Sequence, residues 1–119
     1  MSQRLLRTQI PAEELIIAPG STCQGCGAAI TARLVFKVLG PNIIRHGIPA
    51  CPDHVTKHPR QGSVFEAGGA SLTGTARALK AIGRTDVKAV ALFGDGGVYD
   101  IGLQALSGAA ERNENILVV

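Results

Sequence analysis

Apolar residues recur along this 119-residue chain in two different rhythms. Ile30, Leu34, Val35, Val38 and Leu39 repeat at three- and four-residue spacing and stop at Gly40-Pro41, which predicts an amphipathic helix closed by a breaker. The Ala- and Gly-rich stretch from Val64 to Ile82, ending at Gly83, predicts a second helix. Ile101, Ala105, Leu106 and Ala109 share one face of a third, over Tyr99 to Arg112. The other rhythm is a nearly continuous apolar run from Val87 to Phe93, as in a strand buried on both faces. After the turn Asn113-Glu114-Asn115, Ile116 to Val119 begins another, and Ile43-Ile44 predicts a short strand. Residues 1–20, broken by Pro11 and Pro19-Gly20, read as an irregular arm, and Pro49 to Gly62 reads as a loop.

Strand, Gly-rich turn, helix and strand in that order make a βαβ unit, so the expected class is α/β with a parallel sheet. The final apolar run carries no polar ending. The expectation is therefore a domain over residues 21–119 that continues beyond 119 in a longer polypeptide.

Composition narrows the classes. A hydrophobic fraction of 45% can fill a core, whereas 3% aromatic residues argues against an aromatic binding surface. The twelve Lys and Arg are scattered from Arg4 to Arg112 for a net charge of +3, which gives nucleic acid no basic block to bind. No apolar run approaches the roughly 20 residues that span a bilayer, so no membrane partner is expected. The N-terminus lacks a secretion-type apolar stretch, so the expected location is the cytoplasm. Three cysteines cannot form a closed disulfide framework; two at C-x2-C spacing point to metal or redox chemistry.

Two constellations carry chemistry. Cys23-Gln24-Gly25-Cys26-Gly27, with Cys51 further on, offers thiolates to one iron–sulfur cluster or one metal ion. On spacing alone zinc competes, because Cys51-Pro52-Asp53-His54 completes a Cys3His set of Cys23, Cys26, Cys51 and His54. The second is Gly94-Asp95-Gly96-Gly97, where a strand ends and a helix begins. There, exposed backbone N–H groups suit phosphate oxygens and the Asp suits a hard cation, although an Asp in that place can also simply cap a helix. No Lys-Ser or Lys-Thr follows, and position 99 is Tyr, so neither the P-loop nor the dinucleotide fingerprint is met. His54, Lys57, His58 and Arg60 read as a solvated positive loop. Glu66, Ser71 and Thr73 fall in a small-residue helix suited to close packing on a sheet.

Cys23-Gln24-Gly25-Cys26-Gly27, then Cys51, Phe65-Glu66 and Gly94-Asp95-Gly96-Gly97-Val98-Tyr99-Asp100-Ile101-Gly102 together resemble the thiamine-diphosphate-binding β subunit of 2-oxoacid:ferredoxin oxidoreductases. The likeness runs from about Pro19 to Val119. It implies a doubly wound α/β domain with a parallel sheet, a 4Fe–4S cluster on Cys23, Cys26 and Cys51, and Mg²⁺ on Asp95. Gly94, Gly96 and Gly97 would line the diphosphate, with Gly27, Ala28 and Cys51 near the cofactor. The implied reaction is oxidative decarboxylation of a 2-oxoacid, pyruvate or alternatively oxalate, with electrons passed singly to ferredoxin and coenzyme A taking an acyl product. The resemblance assigns no catalytic side chain to this stretch, and it places the fourth cluster ligand, further Mg²⁺ ligands and an activating Glu in other sequence or partner subunits. The contrasting expectation is a non-enzymatic domain built on the Cys3His zinc site. The His, Lys and Arg between Pro52 and Gly62 depart from what the resemblance implies for a pyruvate enzyme and keep a more anionic 2-oxoacid, or oxalate, as the alternative substrate.

Overall fold

In the computed structural model, residues 9–18, 21–47 and 55–119 are described. Strands β1 (Ile16–Ala18), β2 (Ile43–Gly47), β3 (Val55–Thr56), β4 (Arg60–Gly62), β5 (Lys88–Leu92) and β6 (Ile116–Val118) alternate with helices α1 (Gly27–Leu39), α2 (Gly68–Ala81), α3 (Asp95–Val98) and α4 (Leu103–Glu111). A 3-10 turn, Phe65–Ala67, leads into α2. The main sheet has strand order β4-β2-β5-β6 and is parallel throughout, with Ile43 level with Lys88 and Ala89 level with Ile116. β1 and β3 form a separate antiparallel pair.

The sheet is doubly wound, as its burial pattern shows. Val90 and Ile43 pack with Ala32 and Phe36 of α1 and with Leu15 on one face. Ala89 and Ala91, the intervening residues of β5, pack with Leu72 and Ala76 of α2 on the other, beside Ile116 and Val118 of β6. This alternation follows from the two-residue period of a strand, and it explains why β5 had to be apolar on both sides. Close helix packing explains the paired glycines that open α2. A Cβ on Gly68 would lie 2.6 Å from the Phe93 ring, and one on Gly69 would lie 3.0 Å from the Ala105 backbone of α4.

The differences from the sequence reading have physical causes. The arm holds a strand, and Leu15 is buried in the core, where its backbone carbonyl accepts from Lys57 N–H at 3.0 Å. Glu14 further ties this segment to α1 by accepting from Arg33 at 2.6 Å. The Pro49-to-Gly62 loop contains β3 and β4, and β4 is a polar, fully exposed edge strand that hydrophobic rhythm could not announce. In α1 the core face is Ala32 and Phe36, flanked by Val35 and Leu39; Ile30, Leu34 and Val38 are exposed. The third helix starts later than its apolar spacing implies: a separate one-turn helix, α3, follows Gly94, and α4 begins only at Leu103, leaving Ile101 outside the core.

Candidate functional site

A helix that feeds a parallel strand runs back along it, so its first residue lies at the sheet's carboxyl edge. That holds for α1 ahead of β2 and for α2 ahead of β5, while α3 starts just after β5 ends. The sheet therefore brings the ends of β2 and β5, the Cys26-Gly27 start of α1 and the Gly94–Gly97 turn to one edge, where open α/β sheets bind ligands.

At the Gly94–Gly97 turn, Gly94 is extended and precedes Asp95, the first residue of α3. Asp95 is exposed and stands just past the Gly94 cap, as the first residue of α3, so its carboxylate does not occupy the capping position. The opening N–H groups of a helical turn have no carbonyl partner within it, which leaves the Asp95 and Gly96 amides able to face an anion. Downstream backbone bonds close the loop. Gly97 N–H donates to the Gly94 carbonyl at 3.1 Å, Tyr99 N–H to Asp95 at 2.7 Å and Gly102 N–H to Gly96 at 3.1 Å. Gly102 approaches so closely that a Cβ there would fall on the Gly97 carbonyl. The spacing Gly-Gly-x4-Gly is thus a steric requirement of the loop. Phe65 lies against Gly96, with its ring 3.7 Å from a Cβ built there.

At the cysteine loop, Cys26 N–H donates to the Cys23 carbonyl at 3.2 Å. Gly25, two residues after Cys23, has φ +73°, a conformation that the third position of a type II turn demands. The turn sets the two cysteines at its corners. Both are free thiols: Cys23 is exposed, and Cys26 is half-buried at the cap of α1 with no side-chain cap bond. Gly27 and Ala28 follow in the first turn of α1. Cys51 and His54 lie outside the described residues, so the ligand sets of both the cluster and the zinc readings extend beyond them. Among the described residues no three His, Cys, Asp or Glu side chains group as a metal site.

The positive loop resolves into separate roles. Lys57 pairs with Glu13 at 3.0 Å, and Arg60 lies on β4. His58 is buried, not solvated; its Nε2 lies 3.1 Å from the Gly40 carbonyl and its ring stacks at a tilt on Phe36. Burial pushes its pKa below the usual histidine value, the nearby Arg45 charge acts in the same direction, and the Gly40 bond partly opposes them.

Sequence reasoning passed over Arg45 and His46, both buried in β2. His46 faces α2, where its Nε2 lies 2.8 Å from Thr75 Oγ1, and burial lowers its pKa. Thr75 donates in turn to the Ser71 carbonyl. The available signal was a charged pair set between Ile43-Ile44 and Ile48. A cleft of about 560 Å³ lies elsewhere, between the second half of α2, the start of β5 and the α4–β6 turn. No residue of either motif lines it, and Glu114 at its wall is held below the usual carboxylate range by bonds from Arg77 and Arg112.

Asp95 supplies a hard oxygen donor and the glycine turn supplies open amides, a donor set that fits a metal-bound diphosphate. A parallel α/β sheet carrying such a turn at its carboxyl edge defines a diphosphate-binding α/β domain. The chain belongs to the thiamine pyrophosphate enzyme family: residues 52–119 match its C-terminal TPP binding domain. It is similar to pyruvate synthase subunit PorB of Methanothermobacter thermautotrophicus, at 46% identity over 93% of this chain and 41% of that protein. Ketoisovalerate oxidoreductase subunit VorB of Pyrococcus abyssi is 39% identical over 95% of this chain and 40% of its own. The β subunit of NADH-dependent phenylglyoxylate dehydrogenase from Aromatoleum evansii is 36% identical over 87% of this chain and 26% of its own. The chain thus spans about two-fifths of the PorB and VorB lengths.

Proposed function

We propose that this chain is the thiamine-diphosphate-binding part of the β subunit of a 2-oxoacid:ferredoxin oxidoreductase. The observation that carries the reading is Asp95, an exposed carboxylate just past the Gly94 cap in a glycine loop closed by the Gly97–Gly102 approach. The names of the similar subunits, which refer to pyruvate, ketoisovalerate and phenylglyoxylate, support the reaction class. Bound thiamine diphosphate supplies the carbon nucleophile and electron sink for decarboxylation, and a 4Fe–4S cluster supplies one-electron transfer to ferredoxin.

This chain's own residues bind and position. Asp95 would hold Mg²⁺, and Gly94, Gly96 and Gly97 would line the diphosphate, with the Asp95 and Gly96 amides facing its oxygens. Gly27 and Ala28 open α1 beside the cofactor, and Cys23, Cys26 and Cys51 hold iron. Partner subunits of a hetero-oligomer complete the site in the cytoplasm. Pyruvate is the proposed substrate, with coenzyme A taking the acyl group; oxalate, which needs no acyl acceptor, is the alternative.

The test is an anaerobic assay of the complete enzyme with pyruvate, ketoisovalerate, phenylglyoxylate and oxalate, read as carbon dioxide released per ferredoxin reduced. Decarboxylation of one of them in step with ferredoxin reduction, in a brown iron-containing protein, is expected. A colourless protein holding zinc, inert to all four, would replace the reading with the Cys3His zinc domain.

A further inference from the structure

The cleft of about 560 Å³ between α2, the start of β5 and the α4–β6 turn takes no part in the site described above. Val87 and Asn115, which line it, immediately precede β5 and β6, so it opens at the amino edge of the sheet. The five residues of β5 set it roughly 16 Å from the Gly94–Gly97 turn, at about 3.3 Å per residue. Its floor is apolar, with Leu79 and Ala89 both buried. Its rim is cationic: Arg77, Lys80, Arg84 and Arg112 line it beside one carboxylate, Glu114. Glu114 accepts from Arg77 Nε and Nη2 and from Arg112 Nε, while Asp86 accepts from Arg84 Nε and Nη2. Four cations thus share two carboxylates, which leaves an excess of two positive charges. A guanidinium has five N–H donors, and these bonds leave several unspent. Among the described residues, Nη1 of Arg77, Nη1 of Arg84 and both Nη atoms of Arg112 donate to nothing. Lys80, exposed in the last turn of α2, forms no hydrogen bond or ion pair among them.

We propose that this cleft is a second ligand site, which takes a small phosphate monoester with an apolar carbon chain. A phosphate monoester carries about two negative charges at pH 7 and three acceptor oxygens, which match the excess charge and the unspent donors of the rim. Lys80 and the free Nη groups hold the phosphate, and the carbon chain lies on Leu79 and Ala89. A recess of this volume falls in the range of about 300–1,000 Å³ that small molecules fill, which favours a metabolite over an acidic segment of a partner chain. The site is independent of Asp95 and of the 2-oxoacid reading.

Lys80→Glu tests it, because Lys80 is exposed and unpaired, so its replacement leaves the core and both ion pairs in place; a thermal melt verifies folding. Binding of butyl phosphate is measured by calorimetry on the complete protein with Mg²⁺ and thiamine diphosphate present, beside butanol and pentanoate. The unaltered protein is expected to bind butyl phosphate more tightly than pentanoate and not to bind butanol. Lys80→Glu should weaken butyl phosphate about tenfold, the loss of one charge-assisted hydrogen bond, and Lys80→Arg should retain it. Equal affinity in Lys80→Glu and the unaltered protein would overturn the site. Pentanoate bound as tightly as butyl phosphate would overturn its assignment to phosphate. Binding abolished by Asp95→Ala and indifferent to Lys80 would overturn it by placing the phosphate at the glycine turn. No binding, with Lys80 shielded from amine-acylating reagents in the complete assembly, would overturn it in favour of a neighbouring polypeptide seated in the cleft.

Discussion

Replacing Gly102 with alanine would drive a methyl group into the Gly97 carbonyl, and backbone cannot step aside as a flexible side chain can. The expected cost is about 1–3 kcal/mol, read as a lower thermal midpoint, and the site loop would be displaced with it. Gly74, in the middle of α2, provides the contrast, since a methyl group there would meet nothing within 4 Å. Gly74→Ala should stabilise by about 0.4–1 kcal/mol. Both differences are legible in the fold and neither in composition, since the chain's 15 glycines look alike in sequence. The buried histidines give a pH prediction. Burial lowers the folded-state pKa of His46 and of His58, where Arg45 assists, so the unfolded chain binds these protons more readily. Stability from both groups is then intact above the ordinary histidine value of about 6.5 and lost as pH falls below it. Thermal melts from about pH 7.5 to 5.5, which bracket that value, should show a falling midpoint, and His46→Gln should flatten the slope. A slope unaltered by the substitution would exclude His46 as its source.

Among the elements, α1 shows where hydrophobic rhythm reaches its limit. Its apolar residues surround the helix, and spacing identified the helix but set its apolar face on Ile30, Leu34 and Val38, whereas the structure buries Ala32 and Phe36. Packing under Leu15, Ile43 and Val90 decides the matter. Phe36→Ala should therefore cost about 3–5 kcal/mol in a chemical denaturation experiment. Leu34→Ala, at 45% exposure, should stay within about 0.5 kcal/mol. The Cys23–Cys26 turn was readable because a positive-φ glycine between two cysteines leaves the backbone few alternatives. If the loop holds iron, Cys23→Ser and Cys26→Ser should each lower the iron content and visible absorbance of the complete subunit; undiminished iron in both would remove the loop from the cluster. β4 stayed invisible because an exposed edge strand needs no apolar side chains, and with it went its parallel pairing with β2.

For the molecule as a whole, the parallel sheet and its carboxyl edge followed from the sequence because β5 is apolar on both faces and ends in a glycine turn. The strand order and the division of the core between α1 and α2 did not, since they depend on contacts distant in sequence. The site was readable as two motifs, and the fold supplies the reason they belong together: α1 starts, and β5 ends, at the same edge. The central claim is that Asp95 holds the metal of a diphosphate cofactor there. It is tested most directly by calorimetric titration of thiamine diphosphate, with Mg²⁺ present, into the complete subunit assembly carrying Asp95→Ala, beside the unaltered protein. The account predicts tight binding to the unaltered protein, at least about tenfold weaker binding to the variant and the same iron content in both. Equal affinity in the two proteins would contradict it.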